Sequence, residues 1–145
     1  MKTLESVADI LERELDFTIK EWLRRVNLVP DLSAIPLTDA NRTAHLPFLF
    51  DDLHCRLRRG RNAKPIISIA AAEHGMLRFE QGYSAPMLVE ESRIVQVSTF
   101  RTLHVHQMEL KNHDQVLLDV ITIADESDRQ LIETLRGFMT AQAAA

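Results

Sequence analysis

Between His74 and Arg93 the chain gathers seven polar side chains among apolar neighbours: His74, Arg78, Gln81, Tyr83, Glu90, Glu91 and Arg93. An imidazole changes charge near neutral pH, a guanidinium holds a carboxylate through two parallel hydrogen bonds, and amide and phenol groups orient both. Such a set suits a receptor or titrating pocket. The bland reading is a histidine satisfied at the edge of a core. The two halves of the stretch meet if Gly82-Tyr83 is a tight corner between helices, which brings His74 and Arg78 towards the turn carrying Glu90 and Glu91. Ser84 is suited to cap the second helix by accepting from the Met87 N–H. Pro86 stands in its first turn, where the missing donor costs nothing. Tyr83 and Leu88 have the N′ and N4 spacing of a hydrophobic staple.

Other chemistry finds less support. His104 and His106 are two residues apart and point to nearly opposite sides of a helix. Glu109 and His113 are four apart, but His113 falls where a helix should end. HExxH is absent, as is the pair of Glu-x-x-His motifs of a di-iron bundle, so no metal site is expected. His74 on a helical bundle raises haem ligation as an alternative, given a large apolar cavity. Neither Gly-x-Ser-x-Gly nor a glycine-rich phosphate loop occurs. Cys55 has no evident base partner despite Arg56 and Arg58 nearby. Asp51-Asp52 and Glu90-Glu91 are sequence neighbours that diverge on a helix and form no acid/base dyad. No catalytic residue is assigned, and no enzymatic activity is expected.

The elements that must position the polar stretch are helical. Val7, Ala8, Leu11, Leu15, Ile19, Trp22, Leu23 and Val26 recur at steps of three and four, predicting one helix over Leu4 to Val26. Residues 27–38 hold two prolines and no period, so they form a connector that packs across the bundle through its apolar residues. Thr38 or Asp39 caps a short helix before His45, and Pro47 opens another from Leu46 to Arg58. Gly60 to Pro65 is a loop. A helix is predicted over Ile66 to Gln81, with His74 on the stripe of Leu77. Ala71 and Gly75 put small residues four apart, where a neighbouring helix can approach closely. The next helix runs from Ala85 to about Leu110, and its wide apolar arc marks it as central.

The last helix begins near His113 and runs to the terminus. Leu117, Ile121, Ala124, Asp128, Leu131, Leu135 and Phe138 step by four and three, a heptad seam with one polar intruder. The residues widening the apolar face in its first half predict a helix packed at its start and exposing only the seam at its end. The seam suits a dimer or an onward signalling helix, or packing on the first helix. The whole reads as an all-α bundle of five to six helices, with globin-like packing one form of it.

At 145 residues, 46% hydrophobic and 26% charged, the chain fits one domain with a proper core. A net charge of −4 argues against nucleic acid as partner. The local cluster Arg56, Arg58, Arg59, Arg61 and Lys64 suits a helix C-terminus. A single cysteine excludes an internal disulfide and fits a reducing cytosol. No signal peptide is expected from the acidic, amphipathic first segment, and no apolar run approaches the length of a membrane span. The domain is therefore expected to be cytoplasmic, with no membrane partner.

The segment HLPFLFDDL (His45 to Leu53), followed by AAAEHGMLRFEQGYSAPMLVEESR, resembles the RsbRD-type N-terminal domain of bacterial stressosome co-antagonists and some sensor histidine kinases. The likeness runs from the EWLRRV near Glu21 through the last helix. Its most specific part is His-Gly-x-x-Arg-x-x-Gln-Gly-Tyr, matched by His74, Gly75, Arg78, Gln81, Gly82 and Tyr83, and Leu88, Val89, Glu91 and Arg93 continue it. The resemblance implies an all-helical, non-catalytic sensory or regulatory input module for stress signalling. It also implies an attached or separate kinase or STAS-type output partner. A homodimer with no cofactor is the expected working form. A haem-binding gas sensor and a purely structural oligomerisation module are the alternatives.

Overall fold

The computed structural model describes residues 3–60 and 64–145, so Arg61 of the basic cluster and residues 62–63 of the predicted loop lie outside the described residues. The architecture is all-α. The helices are α1 (Val7–Arg13), α2 (Leu15–Val26), α3 (Pro30–Ser33), α4 (Asp39–Thr43), α5 (Leu46–Arg59), α6 (Ile69–Glu80), α7 (Ala85–Val105) and α8 (His113–Ala144), with a 3₁₀ turn at Gln107–Glu109. Helix α7 packs on α1, α2, α3 and α8, and α8 packs in turn on α5 and, most extensively, on α6. Trp22, Leu46, Phe50, Leu88, Ile94, Ile123 and Phe138 are among the core that these contacts enclose.

The predicted first helix is two. At Glu14 the backbone turns to φ −104°, ψ 26°, separating α1 from α2. The hydrogen-bond ladder continues through the bend, from Glu14 N–H to Ile10 and from Thr18 N–H to Glu14. The Thr18 hydroxyl lies 3.0 Å from the Glu14 carbonyl, a side-chain bond that bends helices. It also sits 2.6 Å from the Thr102 hydroxyl of α7, which anchors the bend to the central helix.

The connector packs across the bundle as expected, burying Leu32 and forming α3 on Pro30. Thr38 caps α4, accepting from the Asn41 N–H. Helix α6 begins at Ile69 rather than Ile66, because Ser68 takes the N-cap. Its Oγ accepts from Ala71 N–H and donates to Asp52 at 2.6 Å. Helix α7 ends at Val105 rather than near Leu110. Beyond the 3₁₀ turn, Glu5 N–H donates to Glu109 O (2.8 Å) and Lys111 N–H to Glu5 O (2.9 Å), an isolated parallel bridge that ties the N-terminus down. Of the basic side chains at the end of α5, Arg59 donates to the Lys64 carbonyl, and the other two act between helices. Arg56 pairs with Asp125 and Glu126 of α8, and Arg58 with Asp9 and Glu12 of α1.

Helix α6 buries its small and polar residues, Ala71, His74, Gly75 and Arg78, and turns Ile69 and Leu77 outward. The reason lies in its contact with α8. A Cβ on Gly75 would stand 1.8 Å from the Thr134 carbonyl oxygen, and one on Gly137 would stand 2.0 Å from that of Ala72. The two backbones touch, so the face that meets α8 has to be the one with the smallest side chains. The small-residue spacing therefore reads correctly, whereas the placing of His74 on Leu77's stripe does not.

Candidate functional site

The Ser84 cap forms with Met87 N–H, and Tyr83 and Leu88 are both buried beside it, so the corner folds as its residue types require. Helix α7 leaves the corner so that its Glu91 faces Arg78 of α6. Arg78 is fully buried, and each of its guanidinium nitrogens is engaged. Nε donates to Glu91 Oε1 (3.1 Å) and Nη2 to Glu91 Oε2 (3.2 Å). This is the two-point pairing that guanidinium and carboxylate shapes favour. Nη1 donates to Gln81 Oε1 at 2.8 Å, and Nη2 also reaches the carbonyl of Arg42 at 2.7 Å. The guanidinium lies 4.6 Å from the centre of the Tyr83 ring, close enough for attraction to its π face.

His74 presents Nε2 to Glu91 Oε1 at 3.5 Å and stacks on a ring that sequence spacing did not single out, His45. The two imidazoles are parallel within 6°, centroids 3.6 Å apart. Trp22 meets His45 edge-on at 5.7 Å and donates its indole N–H to the backbone carbonyl of Glu91. Burial holds His45 well below the usual histidine range, with the neighbouring His74 and Arg78 pushing the same way. Burial also lowers His74, outweighing the opposing pull of Glu91. Both rings are neutral at pH 7, which is what permits them to stack. Burial pushes the Tyr83 phenol up to about 12, so it stays protonated.

His74, Arg78, Gln81, Tyr83 and Glu91 thus come together as the sequence suggested. Glu90 and Arg93 do not. They point to solvent and pair with each other at 2.6 Å. Successive residues on a helix diverge by about 100°, and only Glu91 faces inward. Arg42 and His45 are the residues missed. Arg42, buried, donates to the carbonyls of Leu32 and Ile35, locking the connector under the cluster. A five-residue helix gives no periodicity from which its burial can be read.

The other histidines stay apart from this cluster: His106 lies between Glu14 and Glu109, and His113 Nε2 contacts the Leu110 carbonyl. The expectation of no metal site rested on pairs along one helix, whereas the fold assembles a set from three segments. His45, His74 and Glu91 each bring a ligand atom within 4.8 Å of the others. Two imidazoles and a carboxylate are ligand types for zinc or ferrous iron. Their arrangement is a poor cradle, however. An imidazole lone pair lies in its ring plane, and parallel stacked rings cannot aim two such pairs at one ion. Arg78 also occupies both oxygens of Glu91. On the Glu91 side of the stack the space is too small for haem. The cavity bounded by His45, Leu49, His74, Leu88 and Glu91 holds about 30 Å³, the space of a water molecule.

The predicted seam on α8 divides. Leu117 and Ile121 are exposed (67% and 59%). Asp128 is exposed and accepts from Gln96, while Ala124, Leu131 and Leu135 are half-buried. Phe138 is buried edge-on against Phe79. The expected order, packed first and exposed later, is therefore reversed. With 12 residues, α6 covers only part of a 32-residue partner, and the glycine contact fixes that cover to the C-terminal half. No helix among the described residues is long and apolar enough to cross a membrane.

No family model, no curated protein and no solved structure matches this chain.

Proposed function

We propose that this chain is a non-catalytic sensory or regulatory module of the RsbRD type, in which a stimulus acts on the buried cluster of His45, His74, Arg78 and Glu91. Its output passes through α8 to a kinase or STAS-type partner. One observation carries the reading: His74 and Arg78 of the cluster sit on α6, the helix whose backbone touches that of α8 at Gly75 and Gly137. A neutral histidine stack against a desolvated ion pair has two arrangements of different charge. A helix contact without side chains between the backbones cannot absorb a shift of α6 without moving α8. Gln130 extends the linkage, donating from α8 to the Leu49 carbonyl of α5 and to Glu126. The result is a population shift between two packings. The exposed start of α8, with Leu117 and Ile121, offers a surface for a second copy.

The test replaces His74 by Gln in the host cell, which keeps a donor for Glu91 and removes the titrating ring. Output of the partner kinase or STAS-domain protein is then followed across a range of acid, salt and oxidant stress. A displaced threshold supports the reading. An unchanged response from a folded His74→Gln protein overturns it, and a response lost only when Leu117 and Ile121 are also altered leaves an assembly module.

A further inference from the structure

A second space opens on the outer side of the histidine stack. A groove of about 280 Å³ runs between the α4–α5 corner and α6, with walls of Ala44, Phe48, Ala70 and Leu77 and a floor formed by His45 and His74. At liquid density that is space for roughly nine waters, enough for a small organic molecule. Phe48 stands 61% exposed at its edge, an unusual position for an aromatic ring with no polar atom. Glu73 supplies the one charge in the lining, and among the described residues no hydrogen bond or ion pair engages its carboxylate. No cation is among the lining residues. Arg78 is fully buried behind His74 with its charge taken by Glu91.

We propose that this groove binds a small aromatic or branched apolar molecule carrying one protonated amine, its body between Phe48 and Leu77 over the His45–His74 rings and its ammonium at Glu73. Each part of the lining selects for that class. The apolar walls gain from covering a hydrocarbon body. The two imidazoles that border the groove together offer a ligand ring aromatic contact at their edges. The open face of Phe48 and the unpaired carboxylate both favour a cation. An anionic molecule would meet Glu73 with no donor to offset it, and a neutral one would gain only the walls. Naming this ligand class rests on the sensory reading of the same cluster. It supplies the stimulus with a route, since the ligand would lie on the rings that Trp22 and Glu91 hold from behind.

Trp22 is the sole tryptophan and meets His45 edge-on, so its fluorescence reports on the stack. The experiment titrates the whole purified chain with phenethylamine, 2-phenylethanol and 3-phenylpropionate, three probes of like size and differing charge, by calorimetry and Trp22 emission. The amine is expected to bind saturably and at least tenfold tighter than either of the others. Glu73→Gln is expected to erase that preference, and Phe48→Ala to weaken the amine by at least fivefold. Both residues are exposed, so the variants keep the fold. Equal binding of the three probes, binding of none, or a Glu73→Gln protein that still prefers the amine overturns the proposal. Amide exchange in α8 with the amine bound separates the two claims. Binding without any change in α8 supports the ligand class and counts against signal transfer.

Discussion

Replacing Gly137 by alanine places a methyl group where the backbone of α6 already lies. The added Cβ would stand 2.0 Å from the Ala72 carbonyl oxygen and 3.0 Å from its Cα, and no side-chain rotation relieves a clash with backbone. The helices must part by roughly 1 Å or more to restore a normal contact, and a close-packed interior does not absorb that cheaply. Overpacking of this kind costs about 1–3 kcal/mol or more. Alanine returns about 1 kcal/mol through its higher helix propensity. With the clash on main chain the loss belongs at the upper end, so a net destabilisation of about 2 kcal/mol is expected, a fall in Tm of roughly 4–8 °C. Gly75→Ala, with its Cβ 1.8 Å from Thr134 O, should cost as much or more. Because both glycines serve one contact, the double variant should cost less than the sum of the singles. Urea titration and thermal unfolding by circular dichroism read all three. A Gly137→Ala protein as stable as the parent would refute the backbone contact, and with it the transfer of movement from α6 to α8.

Further outcomes follow from the cluster and the surface. His45 and His74 have folded pKa values below the ordinary histidine value, so as pH falls the unfolded chain takes up protons first. Stability should hold above pH 7 and fall as the pH drops below about 6.5, by up to about 1.4 kcal/mol per pH unit for each ring. His54, lowered by burial, adds to the slope, and urea midpoints from pH 8 to 5 measure it. Glu91→Gln leaves the Arg78 charge buried without its partner and should cost about 3–5 kcal/mol. Arg78→Met combined with Glu91→Leu should cost less than that single change, by the same unfolding assay. Leu117 and Ile121 are both exposed. Changing both to arginine should alter monomer stability by less than about 1 kcal/mol, the sum of two ordinary surface substitutions. The same pair should dissociate a dimer in sedimentation if the start of α8 forms its interface.

Much of the scaffold was legible because local chemistry dictates it. Ser84, Pro86 and the Tyr83–Leu88 staple give the corner, Thr38 and Pro47 the helix starts, and Ala71 with Gly75 the close approach of a neighbour. What failed were rules that send large apolar residues inward. At the α6–α8 contact the backbones meet, so polar His74 and Arg78 enter the core beside Gly75, while Ile69 and Leu77 face out. The exposed start of α8 was misjudged for a related reason: a heptad pattern tells which residues share a stripe, not how far along the helix a partner reaches. His45 escaped notice because the stack joins residues far apart in sequence, and nothing local to either encodes it.

Amide hydrogen exchange along α8, corrected for intrinsic rates and compared at pH 7.5 and 5.5, probes the link between the histidine stack and that helix. Protection over residues 126–138 should be lower at pH 5.5, because a histidine lowered by burial favours the opened arrangement that can be protonated, while α1, outside the cluster, keeps its protection. Equal protection of residues 126–138 at both pH values, or a loss shared equally by α1, would contradict it.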